Sequence, residues 1–327
     1  MAPSYMSEKF ATFGKNPDPQ IFPHMPSLKS LLKKLIHTKT LLPVIDSQIT
    51  RNLAEQRRWL LESEMLTDTR AGVTDEKLLG SGDLIVSLTS YGRRLYDVAY
   101  TIQSIMRQTQ KPNRIILWID RQDCDRIPSS LKRLQQRGLE IIPTEANIRS
   151  YKKLVHALKR FPDDTIITID DDVFYEYDLI ERLLGCHLDH PHDICAMRVH
   201  RVTRERNGTI RPYNKWQMTI KECGCHDDNF LTGVGGVLYP PHSLAEETTD
   251  AELFMKLSPT ADDVWFTFMA RRKGTKIRKV ASRDPQGVDF LENYAYREEG
   301  LQQVNTQGKC LNDKSIAAVA THFSIQP

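Results

Sequence analysis

The chain has 327 residues, which at roughly 150 residues per domain suggests about two domains or one large α/β unit. It is 40% hydrophobic and 27% charged, too apolar for a disordered chain and too polar for a multi-span membrane protein. The 45 Lys and Arg against 42 Asp and Glu leave a formal charge of only +3, a basic excess too small to suggest nucleic-acid binding.

No run reaches the ~18 apolar residues that span a bilayer. The start, Met-Ala-Pro-Ser-Tyr, lacks the basic-then-apolar order of a signal peptide. These features read as a cytoplasmic protein. Six cysteines are too few for a disulfide scaffold. Cys223, Cys225 and His226 lie close together, but no second ligand pair stands at the spacing of a zinc finger.

Residues 1–26 are broken by Pro17, Pro19, Pro23 and Pro26. Leu28, Leu31, Leu32, Leu35 and Ile36 then recur at helical spacing among Lys29, Lys33, Lys34 and Lys39. Such a helix either packs on the main domain or makes peripheral contact with a membrane at its inner face. A second helical pattern runs from about Ser47 to Glu64, so residues 1–80 are expected to form an N-terminal helical extension. From Asp83 the texture changes. The apolar runs Leu84–Leu88, Arg114–Ile119, Leu139–Ile142 and Thr165–Ile169 read as buried strands. Helical patterns over 96–108, 128–137 and 151–159 separate them. This alternation predicts an α/β fold with a mostly parallel central sheet flanked by helices. A strand is expected within 193–199, a glycine turn and short strand over 233–239, a helix over 259–272 and a strand over 277–280. The catalytic domain is set at 81–280, with a tail over 281–327 packing on it.

The strongest chemical signal is Asp170-Asp171-Asp172 at the end of an apolar strand, where ligands bind in open α/β sheets. Three adjacent carboxylates repel one another, and a divalent cation relieves that cost. Side chains alternate along an extended chain, so Asp170 and Asp172 share one side. Their hard oxygens suit Mn²⁺ or Mg²⁺. The alternative is a solvated acidic turn.

The stretch Asn147 to Leu183, with Lys152-Lys153 and Thr168-Ile-Asp-Asp-Asp-Val-Phe174, resembles the DxD region of GT-A fold glycosyltransferases. Ile85-Val-Ser-Leu-Thr-Ser-Tyr91, Ser104-Ile-Met-Arg-Gln108 and Lys111-Pro112 are similar to the first βαβ unit of family 2-like bacterial polysaccharide glycosyltransferases. Gly233-Val-Gly-Gly236 and Ala261-Asp-Asp-Val-Trp265 resemble their later acceptor and base motifs. The resemblance covers about residues 83–280. It implies a GT-A-like, Rossmann-like fold and metal-dependent transfer of a sugar from a nucleotide-diphosphate donor to a glycan or lipid-linked acceptor in surface polysaccharide synthesis, with inversion favoured by the Asp263 match and retention the open alternative. Thr89, Ser90, Tyr91, Arg93 and Asp120 would contact the donor nucleotide. Arg149, Lys152, Asp170 and Asp171 would lie at its diphosphate. Gly235, Gly236 and Trp265 would meet the acceptor. Asp170 and Asp172 would hold the metal with a C-terminal histidine, His322. Asp263, with Asp262 as the substitute, would be the general base.

Each assignment has a plainer competitor. Lys152 and Lys153 are equally readable as exposed helix residues, and Asp120 as a turn residue. Gly235 and Gly236 are also what a tight turn before a strand needs. Thr260 can cap a helix whose first turn holds Asp262 and Asp263. Two other functions fit the same sheet: a sugar-phosphate nucleotidyltransferase, and a non-catalytic carbohydrate-binding relative. The first usually carries a glycine- and basic-rich loop after strand one, and Thr89-Ser-Tyr-Gly92 fits that poorly.

Overall fold

The structure is a computed structural model that describes residues 28–293 and 311–325; the side chains of residues 28–43 lie outside the description. The proline-punctuated segment 1–26 and the apolar and lysine pattern of 28–39 therefore fall outside the described residues or side chains. The chain divides into two units, Met1–Ile49 and Thr50–Pro327. The second begins 31 residues before the start of the catalytic domain read from the sequence, at residue 81. No described helix is long and apolar enough to cross a membrane.

The two helical patterns before Asp83 run together as one helix, α1 (Leu28–Thr67). Within the second unit, Ala54, Leu61 and Met65 of α1 are buried in the same core cluster as the sheet strands. These residues, seven and four apart, share one helix face. That packing, which the polar flanks of 47–80 concealed, joins residues 50–67 to the catalytic body.

The central sheet starts with three parallel pairings. β1 (Leu84–Thr89) lies between β2 (Arg114–Asp120) and β4 (Thr165–Thr168), and β3 (Leu139–Thr144) pairs with the outer side of β2. Leu84, Val86 and Leu88 face one core cluster and Ile85 the other. Burial on both faces explains why these strands read as unbroken apolar runs. α2 (Val98–Met106), α3 (Ser129–Gln135) and α4 (Lys152–Arg160) provide the crossovers. A short strand β5 (Val173–Tyr175) and α5 (Leu179–Asp189) follow β4.

Beyond β4 the sheet continues through strands that the sequence only partly disclosed. β6 (Ile194–Ala196), β8 (Gly224–Cys225) and β10 (Val237–Tyr239) belong to it, while β7 (Val199–Arg201) and β9 (Asn229–Leu231) pair antiparallel as a separate ribbon. β10 lies antiparallel between β4 and β6, with Val237 beside Thr168 and Tyr239 beside Ile166. α6 (Ala251–Leu257), α7 (Asp262–Lys273) and β11 (Ile277–Lys279) come next, and β11 is parallel to β6. Antiparallel β8 closes an eight-stranded sheet in the order β3-β2-β1-β4-β10-β6-β11-β8. The polar tail contributes β12 (Phe290–Glu292), which pairs with β5, and α8 (Leu311–Phe323), which packs on α6 and α7.

Candidate active site

The strand order reverses beside β1, and the crevice at such a reversal, over the carboxyl ends of the strands, is the natural ligand site. Ser90 follows β1, Asp120 ends β2 and Asp170 follows β4. Because β10 runs the other way, its entry turn, Gly233–Gly235, reaches the same edge. The buried Tyr175 hydroxyl joins the two sides. It accepts from the Asp170 amide at 2.9 Å and donates to the Val234 carbonyl at 2.9 Å. Gly236 has φ +95°, a conformation a side chain would strain.

The three aspartates are held by cations of the chain itself. Asp171 turns inward, accepting from Ser90 Oγ at 2.6 Å and pairing with the Arg94 guanidinium at 2.7 Å. Arg94 also meets Asp172 Oδ2 at 2.6 Å. Thr101 Oγ1 fixes the loop by donating to the Val173 carbonyl at 2.8 Å. Burial pushes the Asp171 carboxyl up to about 7, against the pull of Arg94 and Ser90. Asp170 and Asp172 stay more open, their side chains 29% and 36% exposed against 10% for Asp171. Each pairs with a side-chain cation through one oxygen.

On the other side of this loop, Lys153 Nζ lies 2.6 Å from Asp170 Oδ1 and 3.1 Å from Asp262 Oδ2. The paired carboxylates hold its ammonium well above the usual lysine range, despite burial. Asp263 Oδ1 accepts from the Gly233 amide at 2.9 Å. A Cβ at Gly233 would stand 2.8 Å from Lys153 Nζ and 3.1 Å from Asp263 Oδ1, so a side chain there would have to displace the lysine ammonium. Burial and the neighbouring Asp262 push Asp263 up to about 7, while Lys153 and the Gly233 amide pull it down. α7 begins at Asp262 with Ala261, which offers no side-chain cap, in the cap position, one residue after the Thr260 that the sequence offered. Asp263 is bonded across the site instead of to its own helix.

Other assignments move. Lys152 is buried and paired with Asp120 at 2.7 Å, so its charge is committed to the tip of β2 instead of a diphosphate. Neither lysine is an exposed helix residue. Arg149 is exposed, has φ +57°, and donates to the Pro259 carbonyl at 3.1 Å. Thr89 Oγ1 donates to the Trp118 carbonyl at 2.9 Å. Arg93 and Tyr91 are exposed. A Cβ at Gly235 would meet Arg198 Cβ at 2.8 Å, so this glycine serves close backbone packing. Trp265 has no exposed surface, and its indole N–H donates to the Thr248 carbonyl at 3.1 Å. Trp265 and Arg272, seven residues apart, share a face of α7, roughly opposite Asp263 at ~100° per residue. Phe323 packs on that far face, against Trp265 and Arg272, and the exposed His322 ring sits edge-on to Phe323. Trp265 is thus a core residue turned away from any acceptor, and His322 belongs to the side of α7 away from Asp263. Among the described residues, no three His, Cys, Asp or Glu side chains gather into a metal cluster.

Sequence reading placed Gly233 in the glycine turn without its contact to Lys153 and Asp263, and passed over Tyr175 and Ser87. Ser87 Oγ accepts from Trp118 Nε1 at 2.8 Å and donates to the Lys153 carbonyl at 2.5 Å. A polar residue inside the apolar run Leu84–Leu88 was the available signal.

This constellation lies within residues 87–276, which match the family model described as Glycosyl transferase family 2. The chain belongs to that family and is a glycosyltransferase. Among solved structures it is similar to Staphylococcus aureus TarS residues 1–349, at 13% identity over 74% of this chain and 72% of that one, with a TM-score of 0.44. The same fragment in complex with UDP gives 13% identity, the same shares and a TM-score of 0.45. A longer TarS structure gives 14% identity over 74% of this chain and 43% of that one, with a TM-score of 0.41. No curated protein matches the sequence.

Proposed function

We propose that this glycosyltransferase binds a nucleotide-diphosphate sugar over the tips of β1, β2 and β4 and transfers the sugar to a hydroxyl beside the Gly233–Gly236 turn. The observation that carries this reading is the meeting of Asp170, Asp262 and Asp263 around one buried ammonium at the strand tips. Donor-side and acceptor-side carboxylates then face a common space, as a single displacement at a sugar carbon requires. Asp263 takes the proton from the acceptor hydroxyl as that oxygen attacks. The sugar configuration inverts, because attack and departure occur on opposite faces. The exposed Tyr91 ring and Arg93, with Thr89, Ser90 and Asp120, form the nucleotide side.

The donor set suits a hard divalent cation. Asp170 and Asp172 are the more open of the triad, and each commits one oxygen to a side-chain cation. Mg²⁺ or Mn²⁺ commonly needs only one or two carboxylates besides substrate phosphates. Asp170 and Asp172 would hold it, and its charge would offset that of the departing diphosphate. A glycan or lipid-linked acceptor in surface polysaccharide synthesis follows from family kinship alone.

The test is a melting screen of UDP, GDP, CDP and dTDP with and without Mn²⁺, followed by turnover of the corresponding sugar donors. One nucleotide should raise the midpoint, since a ligand of the native state stabilises it. Its sugar donor should be consumed by the wild type and ~100-fold or more slowly by Asp263→Asn. Unchanged melting with every nucleotide, or full turnover by Asp263→Asn, defeats the reading.

A further inference from the structure

α4 opens with two consecutive lysines, and both are buried. That placement is doubly unfavourable. Cations at a helix N-terminus oppose the helix dipole, and burying a lysine costs both hydration and side-chain freedom. Carboxylates from separate elements compensate each of them. Lys152 reaches Asp120 on one side of β1, and Lys153 reaches Asp170 on the other. Lys153 alone reaches further, to Asp262 at the start of α7. Its backbone is fixed as well, since Ser87 of β1 donates to its carbonyl at 2.5 Å. The missing side chain of Gly233 leaves the space its Nζ fills, and the Gly233 amide holds Asp263.

We propose that Lys153 is a positioning residue for sugar transfer, its ammonium tying the donor-side Asp170 to Asp262 and so fixing the distance between the diphosphate site and the base Asp263. Lys153 touches carboxylates and not the substrate. It takes no proton and forms no bond in the reaction. Three elements distant in sequence, the β4 tip, the β10 entry turn and the start of α7, are brought to one registration by this cation. The inference rests on the functional reading above and adds to it the residue that couples the two halves of the site.

The test uses the full chain with Lys153→Met, which keeps the length and removes the charge, and Lys153→Gln, which keeps a polar end. Melting, calorimetric binding of the nucleoside diphosphate selected above with Mn²⁺, and donor kinetics are measured for each. A shift of the base by about 1 Å can cost ~100-fold in rate. At least one variant should therefore melt cooperatively, bind the nucleoside diphosphate within about threefold of wild type, and keep its donor KM, while kcat falls by about that factor. A lysine serving stability alone would lower the melting midpoint and leave kcat of the folded fraction intact, which overturns the proposal. So does a loss confined to KM, or two variants that fail to fold, which would make Lys153 a residue of the fold. A wild type that binds no nucleoside diphosphate defeats the functional reading and this inference together, whereas a working wild type beside an equally fast variant defeats only the role of Lys153.

Discussion

At the residue scale the base candidate sets the pH behaviour. Asp263 is pushed up to about 7 by burial and by Asp262. A base acts only when ionised, so kcat/KM should rise with pH and level off above about 7. Asp262→Asn removes a negative neighbour and should move that rise to lower pH, whereas Asp263→Asn should abolish it; a pH–rate profile of the three proteins checks both. Asp170–Asp172 and Asp263 stood out in the sequence because the first run ends an apolar strand and the second lies in a motif the family shares, although acids in a first helical turn are also what the helix dipole favours. Lys153 was only half legible. Helical spacing places a lysine but does not show what it reaches, and Asp262 lies over a hundred residues away. Trp265 was placed at the acceptor by the resemblance of Ala261-Asp-Asp-Val-Trp265 alone, and only its rotation about α7 shows that it faces the core.

At the element scale the helix α1 was under-read. Its charged and polar residues suggested a separate extension, yet Ala54, Leu61 and Met65 line the core from one face. Leu61 is fully buried, so Leu61→Ala should cost about 2–5 kcal/mol. Urea unfolding of the full chain measures this, and a change below about 0.5 kcal/mol would show that residues 50–67 do not belong to the catalytic core. The parallel strands β1, β2, β3 and β4 were readable from their apolar runs and intervening helices. The antiparallel direction of β10 was not, since a three-residue strand buried on both sides reads the same either way. β12 and α8 escaped because a short strand at a sheet edge and a helix rich in small residues give little hydrophobic rhythm.

At the scale of the whole molecule the site weighs on stability. Asp171 and Asp263, both pushed up to about 7, keep protons in the folded chain that the unfolded chain releases near pH 4. Folding therefore takes up protons between about pH 4 and 7, and stability from these groups falls as pH rises through that window. His200 acts in the opposite sense. Burial lowers it to about 3, so the unfolded chain binds its proton first and stability falls as pH drops below about 6.5. The two windows overlap, and between about pH 4 and 6.5 two carboxyls outweigh one imidazole, so the summed contribution of these three groups should peak near pH 4 and fall towards pH 7. Asp263→Asn should flatten the alkaline limb, and an unchanged limb in a melting series from pH 5 to 8 would show that this carboxyl is not protonated in the folded chain.

The reversed strand β10 acts as a ruler. Val237 is matched to Thr168, so the turn four residues upstream always arrives level with the acids just past β4. Deleting one residue from Val237-Leu238-Tyr239 would drag that turn by ~3.4 Å and swap the faces of the strand. An enzyme so damaged would keep every polar group of its chemistry and still lose the alignment among them, its failure originating in greasy residues that never meet a sugar.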